Sequence, residues 1–188
     1  MKKIILLGIL IITNISCKSQ VLPLEKLIDY VKTDQGAPDG TTYIKDVNNI
    51  RQNYLGIWKG SYNNKNYEIH FTNYTSNFII NEDQLLMRYV ITDSNGKILE
   101  DTRSLPNDSP YIVTSRYYEK SFFVLTYQGR QSDCGQAGEL FVEAQKSTNY
   151  KTLKLFLSPR QGFINSQTCP NGAAVQLFPK DNITLTKQ

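Results

Sequence analysis

From residue 55 onward, apolar and polar side chains alternate in short runs, the period expected of strands with one buried face. The clearest run is Tyr67–Thr72, where Tyr67, Ile69 and Phe71 share one face and Glu68, His70 and Thr72 the other. Just upstream, Gly56, Trp58, Gly60 and Tyr62 share a face, and Asn63-Asn64-Lys65-Asn66 reads as a hairpin turn. The same pattern predicts strands at Phe78–Ile80, Leu85–Asp93, Lys97–Arg103, Tyr111–Tyr118, Ser121–Tyr127, Gly138–Gln145, Thr152–Ser158, Ala173–Phe178 and Ile183–Thr186. Asn95-Gly96 predicts a type I′ turn, because both central residues of that turn need positive φ. Strands in hairpin order without βαβ spacing make an all-β, antiparallel meander. To protect its edges, such a sheet closes into a barrel or, as the alternative, splits into a β-sandwich.

The N-terminal third has a different pattern. Leu24, Leu27, Ile28 and Val31 follow Pro23 at helical spacing and predict a short amphipathic helix; an extended segment along the barrel edge is the alternative. Gly36–Gly40 is a turn, and Asp46 or Asn48 is placed to cap a single helical turn ending at Asn53. At the start, Lys2 and Lys3 precede an apolar run from Ile4 to Ile12, then Thr13 to Ser16 lead into Cys17. A basic start, a short apolar run and a small residue before a cleavage point mark a secretory signal. The run falls short of the roughly 20 residues that span a bilayer as a helix.

Asn14-Ile15-Ser16-Cys17 resembles a bacterial lipobox, with Asn14 in place of the usual leucine. The resemblance implies cleavage before Cys17 and lipidation of its thiol; a plain signal peptide containing a cysteine is the alternative. Three segments follow: a signal peptide at 1–16, a lipid-anchored tether or extension at 17–53, and a barrel domain at 54–188. Lys18 is not the aspartate that retains some lipoproteins at an inner membrane, and Ser19 and Gln20 are not acidic as in surface-export signals. The resemblance therefore implies a bacterial outer membrane, on its periplasmic face, reached through the anchor.

Composition adds two points. Twelve Tyr, eight Phe and one Trp favour strands. The formal charge of +4 owes two of its units to Lys2 and Lys3, and no Lys/Arg block offers a nucleic-acid footprint. With Cys17 lipidated, Cys134 and Cys169 remain, both in loop-like sequence. In an oxidising compartment they are expected to pair, two reduced thiols being the alternative.

Asn53-Tyr54-Leu55-Gly56-Ile57-Trp58 resembles the opening of lipocalin-like (calycin) barrels, a Gly-x-Trp on the first strand after a short helical turn. The resemblance implies that Trp58 closes one barrel end, that Gly56 permits close backbone approach and that Tyr54 packs nearby. Taken with Ser16-Cys17-Lys18-Ser19-Gln20 and Tyr43-Ile44-Lys45-Asp46, the chain resembles small Bacteroidota lipoproteins of an uncharacterised family, which implies no activity.

Catalytic chemistry needs convergent groups, and the sequence offers few. His70 and Glu68 share a strand face opposite Tyr67, Ile69 and Phe71, which points them to solvent. Glu82-Asp83 and Glu100-Asp101 are adjacent pairs that a strand sends to opposite faces. The chain is therefore expected not to be an enzyme, and neither a cofactor nor a metal site is expected. A closed barrel would line its interior with Trp58, Tyr67, Phe71, Met87, Tyr89, Phe123, Tyr127 and Phe141, suited to a small, partly apolar ligand. The alternatives are that these side chains simply fill the core, or that the protein serves as a structural or interaction lipoprotein for an envelope partner.

Overall fold

The computed structural model describes residues 20–33 and 36–188. Cys17 and the whole signal segment lie outside the described residues. The strands are β1 (Gln20–Pro23), β2 (Thr41–Lys45), β3 (Gly56–Tyr62), β4 (Lys65–Ser76), β5 (Asn81–Asp93) and β6 (Ile98–Asp101). They continue as β7 (Val113–Glu119), β8 (Phe122–Gln128), β9 (Ala137–Ala144), β10 (Thr152–Pro159) and β11 (Ile183–Lys187). Helix α1 spans Leu27–Val31, after a 3₁₀ turn at Leu24–Lys26.

Eight strands close an antiparallel barrel in the order β5-β4-β3-β11-β10-β9-β8-β7, with β7 returning to β5. This is the lipocalin-like barrel, and the sandwich alternative falls. Strand β5 makes closure work because it is long enough to change partners along one edge. Asn81 and Glu82 pair with β2, Leu86 and Met87 with β7, and Val90 to Thr92 with β6. Its other edge pairs with β4 throughout, from Ser76↔Glu82 to Lys65↔Asp93.

Two expected strands are absent, for identifiable reasons. Phe78–Ile80 is the turn between β4 and β5, because β4 continues to Ser76. Ala173–Phe178 is irregular chain within the connection 160–182 between β10 and β11. The Asn95-Gly96 turn has positive φ only at Gly96, with the Asp93 carboxylate accepting from the N–H groups of Asn95 and Lys97. Asn63 and Asn64, at φ 46° and 58°, form instead the hairpin with two left-handed residues.

Within the segment expected as a tether or extension, β1, the 3₁₀ turn, α1 and β2 are formed. β1 pairs parallel to β2, and β2 parallel to β5, so the first 3₁₀ turn and α1 form a small crossover beside the meander. It covers the gap where β7 leaves β5. A buried ion cluster fastens it there. Arg51 reaches Asp46 at 3.2 Å and Asp83 at 3.1 Å, and donates to the carbonyls of Tyr74 and Gln84. Asp46 also accepts from the N–H groups of Ile50 and Arg51. This holds the expected helical turn, a 3₁₀ turn at Ile50–Asn53.

Trp58 is fully buried at the barrel end where β3 begins. Its indole N–H donates to the Tyr54 carbonyl at 2.7 Å, and the Tyr54 hydroxyl donates to the Ser121 carbonyl at 2.7 Å. Gly56 enters β3 at φ 114°, a left-handed value that a side chain would strain. A Cβ there would also press on the Lys187 stem at 3.3 Å.

Candidate binding site

The opposite end of the barrel, where β3, β5, β8 and β10 finish, is covered by the 160–182 connection. Connections of this length without secondary structure are uncommon in compact domains and are usually functional loops or linkers. This one is held like a lid. Cys169 forms a disulfide with Cys134 in the β8–β9 loop, with S–S 2.12 Å and Cα–Cα 5.6 Å. Gln136 donates to the Val175 carbonyl, Gln176 to the Gly135 carbonyl and the Lys65 ammonium to the Gln176 carbonyl. The N–H of Leu157 on β10 donates to the Pro179 carbonyl at 2.7 Å.

These ties drive Phe178 into the barrel mouth. Its ring lies 4.9 Å from Tyr89 and 5.1 Å from Tyr127 between centroids, both edge-on, and 6.2 Å from Tyr67. Phe178 is the side chain that the sequence reading missed, because it stands on neither a strand nor a helix and no period marks it. The Tyr67 hydroxyl donates to the Leu177 carbonyl at 3.2 Å, and burial pushes that phenol up to about 12. Burial raises Tyr89 and Tyr127 further still, with the nearby Glu100 charge adding to both. The Tyr127 hydroxyl has Tyr89 close by but no partner of hydrogen-bond geometry, although the residue is fully buried. Such a hydroxyl costs stability unless something meets it.

Of the eight side chains expected inside, Trp58, Tyr67, Phe71, Met87, Tyr89, Phe123 and Tyr127 all point inward and are buried. Phe141 requires correction. It pairs across β9–β10 with Phe156, and the two rings stack at 4.8 Å on the outer face, half-buried. Leu140 and Val142 take the inward positions, because the inward set of β9 runs Gly138, Leu140, Val142 and Ala144, with Gly138 opposite the inward Tyr127. Ile69 and Leu125 fill further inward positions on β4 and β8, and Leu155 and Leu185 fill them on β10 and β11, so the interior is packed with side chains.

The outside carries the remaining polar features. Glu68 meets Lys59 at 2.8 Å, His70 at 2.7 Å and Arg103 at 3.2 Å, so His70 sits in a surface ion cluster. Lys59 first, and then His70, hold the Glu68 carboxyl down at about 2. Its contribution to stability is therefore complete above about 4.5, its ordinary value, and is lost as pH falls toward about 2. Thermal melts across that range should show Glu68→Gln losing less stability on acidification than the parent chain. An equal acid response in both would remove Glu68 as a source.

Beside the disulfide, Cys134, Pro159, Arg160, Phe163, Ile164 and Gln176 line a cleft of about 230 Å³. Phe163, in that lining, and Val175, next to Gln176 in the chain, are exposed on the lid, at 108% and 77%. Among the described residues, no group of three or more His, Cys, Asp or Glu side chains is arranged to hold a metal ion, and no helix is long and apolar enough to cross a membrane. Against this geometry a family profile covers residues 1–188. The chain belongs to a family of unknown function, DUF6705. Neither a curated protein nor a solved structure matches it.

Removing the disulfide tests the lid directly. Closing a loop of about 35 residues contributes roughly 3 to 4 kcal/mol in the chain-entropy model. Cys134→Ser with Cys169→Ser is expected to lower the denaturation free energy by that amount, read from urea unfolding, and to raise amide exchange across 160–182 above exchange in β4 and β5. Uniform exchange would mean the lid is held without the bridge.

Proposed function

We propose that this chain is a lipid-anchored envelope protein whose packed barrel carries a docking face for a partner protein on the disulfide-held 160–182 lid. What supports the reading is one observation: Phe163 and Val175 stand exposed on a covalently fastened loop, beside a cleft of mixed polar and apolar lining, above an interior already filled by the chain's own side chains. Pre-ordering such a loop lowers the entropy lost on binding. Exposed aromatic anchors on a scaffolded loop are a common form of recognition surface. The anchor rests on the signal at residues 2–16 and on Cys17, and Lys18, Ser19 and Gln20 support the periplasmic face of the outer membrane as its location. The role is recognition, not catalysis.

The test is capture from the envelope of the host with the full-length chain, compared with a Phe163→Ser, Val175→Ser variant of unchanged melting temperature. A partner retained by the parent and lost by the variant supports the reading. Identical captured proteins from both would overturn it.

A second reading keeps the barrel mouth as a site for a small, partly apolar ligand. The unpartnered Tyr127 hydroxyl beneath Phe178 favours it, since a ligand with one polar group would satisfy that hydroxyl while replacing the Phe178 ring.

A further inference from the structure

The turn between β4 and β5 is built unlike the other tight turns. Ile80 tucks against the core, whereas Phe78 and Ile79 are 90% and 86% exposed, two large apolar side chains in succession at a tip. Nothing within the fold requires them to be apolar. Exposed apolar tips of this kind mark contact with a protein or a membrane.

Register places the tip beside the point where the chain enters. β1, β2 and β5 run in the same direction, away from this end of the barrel. Gln20 is level with Thr41, and Thr41 lies two residues before Tyr43, the partner of Asn81. Gln20 is thus on the side of Asn81 toward which the 77–80 turn projects, two strand spacings away across the sheet, or about 10 Å. Cys17 is three residues before Gln20, a reach of at most about 11 Å. The same end presents the exposed lysines Lys120, Lys146 and Lys151, in the connections after β7 and β9, which suits an anionic leaflet.

We propose that Phe78 and Ile79 form a second membrane contact, seated in the headgroup region of the bilayer that holds the Cys17 lipid. This rests on the lipid-anchor reading. Two contacts on one end fix the barrel upright, where an anchor alone would let it swivel, and a short amphipathic insertion suits the interface. The lid, at the other barrel end, is then turned away from the membrane and toward approaching partners.

The experiment uses the full, host-processed chain carrying Phe78→Trp or, as control, Val175→Trp. Each is reconstituted in vesicles of phosphatidylethanolamine and phosphatidylglycerol with brominated acyl chains. The fluorescence added over that of the buried Trp58 is then read. The F78W chain is expected to emit at shorter wavelength and lose most of its added emission to the bromine, while the V175W chain loses little. Intact mass on the same samples reads the acyl groups on Cys17 independently. Acyl mass with no quenching of F78W, or equal quenching of both chains, overturns the tip contact and leaves the anchor standing. Absent acyl mass overturns the anchor, and the tip contact then stands or falls on whether F78W is quenched by the added vesicles.

Discussion

Arg51→Ala is expected to be among the most damaging single changes in this chain. The guanidinium is 12% exposed and lies between carboxylates that are 4% and 8% exposed, those of Asp46 and Asp83. Removing it leaves two buried negative charges facing each other and strands the carbonyls of Tyr74 and Gln84, which it also serves. Breaking a buried pair from one side costs about 3 to 5 kcal/mol, against a total of about 5 to 15 for a domain. For a domain of this length the melting temperature should fall by about 10 °C or more. A triple change, Asp46→Asn, Arg51→Met, Asp83→Asn, should recover part of the loss, because desolvated charge is then absent on both sides. Equal stability of Arg51→Ala and the parent in urea unfolding would mean that the cluster contributes nothing. Because Arg51 links the 3₁₀ turn to β4 and β5, exchange protection of β1 and β2 should fall first.

The pattern of residues foretold the barrel for a physical reason: alternation is a local property, and β4 from Tyr67 to Phe71, β9 from Gly138 and β10 from Leu153 to Leu157 each bury alternate side chains. It failed where local signals conflict with closure. The Phe78–Ile80 run looks like a strand because it is apolar, yet β4 and β5 are already long and the chain must turn there. Ala173–Phe178 has the same apolar character, but the Gln136 and Lys65 side chains take its Val175 and Gln176 carbonyls, and the Gln176 side chain reaches the Gly135 carbonyl, in place of a strand ladder. Phe141 was misplaced by one step of the alternation, enough to move it from interior to exterior. The Asp46–Arg51–Asp83 cluster spans residues that periodicity does not connect, and only the parallel β2–β5 pairing brings them together. The disulfide was legible through chemistry: with Cys17 set aside, two cysteines in loop-like sequence have one obvious partner each.

Phe178→Ala separates a barrel that is merely plugged from one that binds. Losing a buried phenylalanine costs about 3 to 5 kcal/mol and leaves space the size of a ring beside Tyr89 and Tyr127. The Tyr127 hydroxyl then borders that space, and a probe such as 2-naphthol could fill it while offering the hydroxyl a partner. The variant is expected to melt lower and to be raised by the probe. The parent chain decides between the two readings of the mouth. If the mouth is a ligand site, Phe178 is a resident competitor: the parent also binds the probe, more weakly by the fraction of time its plug is withdrawn. If Phe178 is simply core, the parent shows no shift at probe concentrations that stabilise the variant, and the proposed docking face on the lid is the reading that stands. Binding to neither chain would mean that the mouth collapses once the ring is gone, and would remove the small-ligand reading altogether. Reducing the Cys134–Cys169 bridge in the parent adds a consistency test, because a freer lid should strengthen probe binding only where the plug can leave.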